Sequence, residues 1–102
     1  MSAVASSVAD RLQLEDRGSN GSPPGFKGLY LHVKREDDGD PVQKLPDVLT
    51  REKVMEVAES VFGKGRVEQG FAFGTYIFIH VPIDTAGPRI AMCQKALRDL
   101  VS

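Results

Sequence analysis

At 102 residues, 41% hydrophobic and 26% charged, the chain has the make-up of one small globular domain. Thirteen basic against fourteen acidic residues leave a net charge of −1. That excludes the strongly positive footprint of proteins held to nucleic acid by phosphate charge, but not single-strand binding through stacking. The one cysteine, Cys93, excludes an internal disulfide and points to a reducing compartment.

No apolar run approaches the roughly 18 residues of a membrane span. The opening MSAVASSVAD has neither the basic start nor the apolar run of a secretory signal. The expected setting is intracellular, cytoplasmic or nuclear, with no membrane contact.

Residues 1–10 are small and polar and are expected to be loose. Arg11-Leu12-Gln13-Leu14-Glu15 alternates polar and apolar, the period of a short edge strand, while Val4, Val8 and Leu12 at spacing four fit a helix. Residues 16–25, DRGSNGSPPG, read as a linker. The expected division is a flexible segment and linker over 1–27, with a possible edge strand, and one α+β domain over 28–102.

Residues 28–35 read as a strand, with Leu29, Leu31 and Val33 on one face and Tyr30, His32 and Lys34 on the other. Residues 36–49, acidic and then proline-punctuated, read as a long surface loop. Its Asp37-Asp38-Gly39-Asp40 lacks the spacing and the closing glutamate of a calcium loop.

Thr50 is a suitable N-cap, and Val54, Val57, Ala58, Val61 and Phe62 form one helical stripe that stops at Gly63 and Gly65. Residues 66–73 and 76–83 read as strands around a Gly74-Thr75 turn. That register sets Phe73 against Tyr76, Phe71 against Phe78 and Gln69 against His80. A second register has a turn at Gln69-Gly70 and a bulge at Gly74, and the pattern does not separate the two. Asp84 or Thr85 is the expected cap of a last helix, with Pro88 near its start and Ile90, Cys93, Leu97, Leu100 and Val101 as its stripe.

The order is a weak strand followed by β-α-β-β-α. Two helices can cover only one face of such a sheet. The aliphatic strand faces match the helix stripes, and the hairpin inserted after β-α gives the split β-α-β arrangement of ferredoxin-like folds. The usual final strand is missing, and residues 11–15 could take its edge in a permuted version. The opposite face then carries Tyr30, His32, Lys34, Phe71, Phe73, Tyr76, Phe78 and His80, and contiguous apolar surface of this kind marks an interaction site.

Two segments on that face resemble the RNA recognition motif. Leu29-Tyr30-Leu31-His32-Val33-Lys34 is similar to its first-strand signature. Gln69-Gly70-Phe71-Ala72-Phe73-Gly74-Thr75-Tyr76 is similar to its third-strand signature at Gly70, Phe71, Ala72, Phe73 and Tyr76. Gln69 stands in place of the basic residue and Gly74 in place of an aliphatic. The resemblance implies bases of single-stranded RNA stacked on Tyr30, Phe71 and Phe73, or on Tyr76 and Phe78 in the other register. Lys27, Lys34, Lys64 and Arg66 would supply phosphate contacts.

The alternative is a protein–protein or self-assembly module, a homodimer among its forms, using the same face or an edge strand. No catalytic constellation is visible, so an enzyme is not expected. His32 and His80 lack the further ligands a metal centre needs, and neither a metal nor another cofactor is expected. Cys93, on an apolar stripe, reads as a buried structural thiol.

Overall fold

The computed structural model describes residues 8–34 and 43–102. The strand reading of the N-terminal pattern is realised, while of the helical spacing only Val8 lies in a helical turn, since Leu12 is in the strand and Val4 lies outside the described residues. Val8–Arg11 forms a single helical turn (α1), and Leu12–Asp16 forms strand β1. Residues 8–10 are therefore not loose: Ala9 is buried. Leu12 and Leu14 point into the core and Gln13 and Glu15 away from it, as the period of two requires.

Strand β2, Phe26–Val33, starts two residues earlier than expected, because Phe26 and Lys27 already pair with Pro82 and Val81. The remainder of the expected strand at Arg35 lies outside the described residues, as do Asp37, Asp38 and Asp40. The loop that follows is not wholly superficial. Leu45 and Leu49 are both buried in the core, and the Leu45 amide donates to the Gly74 carbonyl at 2.6 Å.

Helix α2, Arg51–Phe62, begins and ends as its sequence dictates. The Thr50 hydroxyl accepts from the Lys53 amide at 3.1 Å, and Gly63, at φ 116°, closes the last turn with its amide on Glu59. Helix α3, Gly87–Val101, differs from expectation at its start. Its N-cap is Ala86, which offers no side-chain hydrogen bond, and neither Asp84 nor Thr85 caps it. Pro88 sits in the first turn, where its missing amide donor leaves nothing unpaired.

Strands β3, Glu68–Phe73, and β4, Tyr76–Pro82, join through Gly74-Thr75. All neighbouring strands are antiparallel, in the order β1-β2-β4-β3. The N-terminal strand thus holds the edge beside β2. The hairpin pairs Phe73 with Tyr76 as the first register proposed, then departs from it at a bulge between Gln69 and Ala72. Beyond the bulge the pairs are Gln69 with Ile79 and Glu68 with His80, not Gln69 with His80. The turn at Gln69-Gly70 and the bulge at Gly74 do not occur.

The aliphatic faces of β1, β2 and β4 meet the apolar stripes of α2 and α3 in one cluster. Leu29, Leu31, Ile77, Ile79 and Val81 are almost fully buried there with Val54, Cys93 and Leu97. Ala72, expected on this face, lies exposed on the edge strand. The result is an α+β fold with both longer helices on one side of a four-stranded antiparallel sheet and the other side left open.

Candidate functional site

Burying the aliphatic positions fixes the other face, because successive side chains alternate across a strand. Tyr30 and His32 project there from β2, and Tyr76, Phe78 and His80 from β4. Pairing sets Tyr30 opposite Phe78 and His32 opposite Tyr76. The rings form a connected array. Tyr30 lies 4.5 Å from His32 and 5.2 Å from Tyr76 between centroids. From Tyr76 the array continues to Phe73 at 5.1 Å and on to Phe71 at 6.5 Å. Phe78 contacts Tyr30 at 6.5 Å and meets His80 edge-on at 5.3 Å.

Two glycines shape this surface. A methyl group on Gly28 would run into the Phe78 ring, so the absence of a side chain lets that ring lie flat across β2. On Gly70 it would meet the Phe78 carbonyl, so glycine permits the close backbone approach at the bulge. Phe71, within the bulge, and Phe73, beside the turn on the edge strand, stay 63% and 58% exposed. An open concavity of about 370 Å³ lies between Arg17, Tyr30, Phe71, Tyr76 and Phe78.

Arg17 enters from the segment read as a linker. Residues 17–25 have no regular structure, yet they are tied to the sheet. The Asp16 carboxylate accepts from the Gly18 amide at 2.9 Å, and the Gly28 amide donates to the Gly18 carbonyl. These turns bring the Arg17 guanidinium to 4.7 Å from the Tyr30 ring centre. The Glu15 carboxylate lies between the Arg17 guanidinium at 3.6 Å and the His32 imidazole at 3.3 Å. Sequence reasoning missed Arg17 and Glu15. Only the Asp-Arg-Gly turn signal after β1 hinted at the geometry, and nothing in it named a ring as the target.

The remaining expected residues fall in different places. His80 is buried, its Nδ1 2.9 Å from the Ser22 hydroxyl, so the loop covers it. Lys34 is exposed just beyond the end of β2. Lys64 and Arg66 are exposed in the turn after α2. Arg66 lines a separate cleft of about 240 Å³ with Phe62, Thr85 and Arg89, away from the rings. Lys27 is committed elsewhere, its ammonium 2.8 Å from Asp16 and 3.0 Å from the Thr85 carbonyl. That contact, with the Gly18 amide, holds the Asp16 carboxyl below its ordinary value of 3.8.

The segment matched to a third-strand signature, residues 69–76, is not one strand. It runs along the edge strand β3, through the turn and into β4. Of the array's Phe and Tyr rings, those on the two central strands are Tyr30, Tyr76 and Phe78. Among the described residues no group of three or more His, Cys, Asp or Glu could hold a metal ion, and no helix is long and apolar enough to cross a membrane. Compared with known proteins, the chain matches no family model, no curated protein and no solved structure.

Proposed function

We propose that the chain is a small non-enzymatic binding module that holds single-stranded RNA across its ring face. Its architecture would be a ferredoxin-like split β-α-β with the N-terminal strand at the edge normally filled by the last one. The strand order β1-β2-β4-β3, with both longer helices on one side, supports that architecture. The observation that carries the RNA reading is the array of rings centred on Tyr30 and Tyr76, 5.2 Å apart on the central strands, with the Arg17 guanidinium over Tyr30 and an open concavity between them and Phe71 and Phe78.

A flat apolar ring accepts the face of any base, and each stacked base contributes about 1–3 kcal/mol. Arg17 is planar as well as charged. A base entering above Tyr30 meets a guanidinium that can stack on it or turn to its phosphate. With few cations beside the rings, affinity should rest on stacking and fall only gently with salt.

Fluorescence anisotropy with a labelled random-sequence RNA tests this. Tyr30→Ala and Phe78→Ala should each weaken binding about 5- to 150-fold, the equivalent of one lost stack. Arg66→Ala, remote from the rings, should leave binding unchanged. Variants that keep the parent's amide spectrum and bind as tightly as the parent would overturn the reading.

A further inference from the structure

The two edges of the sheet are finished differently. On β1 the outward backbone is occupied from α3. Gln94 Oε1 accepts from the Leu14 amide at 2.9 Å, and Arg98 Nε donates to the Leu12 carbonyl at 3.0 Å. On β3 every residue but Gly70 is exposed, and among the described residues nothing bonds to the outer backbone of 68–73. Unpaired edge backbone is a template for another strand.

We propose that β3 pairs antiparallel with β3 of a second copy of this chain, about a two-fold axis at Ala72. Phe73 faces Tyr76 across a two-residue turn, so its N–H and C=O point toward β4. Those of the preceding Ala72 point outward, and the two copies of Ala72 can exchange both hydrogen bonds. The methyl group of Ala72 is small enough to meet its own copy at the axis.

This register sets Phe71 of each copy opposite Phe73 of the other, at the closer, non-hydrogen-bonded positions. The most exposed rings of the sheet, 63% and 58%, thus cover each other twice. The charges at the strand ends are complementary. Glu68 begins β3, and the Lys44 side chain lies against the Gly74 turn at its far end, 3.8 Å from where a Cβ would stand. Among the described residues, Lys44 pairs with Asp47 alone, at 3.8 Å and exposed. An antiparallel two-fold brings the acidic end of each strand beside the basic end of the other. Because α3 occupies the β1 edge, the assembly closes at two copies and does not run on as a fibre. The pairing takes up Phe71, which also lines the concavity beside Tyr30, and leaves Tyr30, Tyr76 and Phe78 on the ring face.

Sedimentation equilibrium of the full chain, from micromolar to millimolar concentration, tests the proposal. The parent should rise to twice its 11.1 kDa mass. Ala72→Lys, which places two like charges at the axis on an exposed position, should remain at the monomer mass with an otherwise unchanged amide spectrum. Glu68→Lys should shift the midpoint to higher concentration, and adding Lys44→Glu should shift it back. A parent that stays monomeric at millimolar concentration overturns the proposal, as does an Ala72→Lys variant that dimerises like the parent.

Discussion

Gly70 and Gly28 share one neighbour, Phe78, but differ in what could give way. A Cβ on Gly70 would stand 2.8 Å from the Phe78 carbonyl carbon and closer to its oxygen, and that backbone is fixed in a central strand. A Cβ on Gly28 would meet only the ring, at 2.8 Å and less, and the half-exposed ring can swing outward. Gly70→Ala should therefore cost about 2–3 kcal/mol and Gly28→Ala about 1 kcal/mol, read from urea unfolding midpoints. Equal losses would mean that the bulge yields as readily as a side chain. Cys93 is a simpler case, with burial pushing its thiol up to about 12. The native thiol should not react with a disulfide reagent at pH 8 until the chain is unfolded. The sign of its pH effect follows. Below pH 9 both states keep the proton; above it the unfolded chain ionises and the folded one does not, so stability falls as pH rises.

Between elements, the two long helices offer a comparison of caps within one molecule. Thr50 supplies the side-chain acceptor at the start of α2, and Thr50→Ala should lower stability by about 1 kcal/mol. At α3 the cap residue Ala86 already has the extended backbone of a good cap, φ −75° and ψ 148°, without the acceptor. Ala86→Ser should raise stability by about 0.5–1 kcal/mol in the same urea experiment, and a neutral or negative result would show that its hydroxyl does not reach the first-turn amides. The sequence identified Thr50 because its stripe begins four residues later, at Val54, and leaves one reasonable cap. It misplaced the cap of α3 because Asp84 and Thr85 are good cap types in a stretch where the chain has not yet turned into the helix.

For the whole molecule, the decisive element is β1. The expected boundary at residue 28 leaves out Leu12 and Leu14, which the core buries, and the backbone that Gln94 and Arg98 bind. It also leaves out Arg17 and the Ser22 that covers His80. A chain of residues 28–102 should lose the cooperative thermal transition of the full chain, since a small domain has no core surface to spare. A fragment that melts like the parent would reduce β1 to an accessory strand.

What the sequence determined by itself was periodicity, and through it the faces. Alternation in β2 and β4 divided Leu29, Leu31, Ile77 and Ile79 from Tyr30, Tyr76 and Phe78. The 3.6-residue stripes of α2 and α3 said which sheet face they would cover. Both patterns are local, written in residues two to four apart. Only the tertiary structure decided that the bulge falls at Gly70, that Leu45 and Leu49 leave their loop for the core, and that Arg17 lies over Tyr30. It also decided that one sheet edge is occupied and the other open. Each of these depends on contacts between segments distant along the chain, where a fit of a few tenths of an ångström selects one pairing among several that the same local pattern allows.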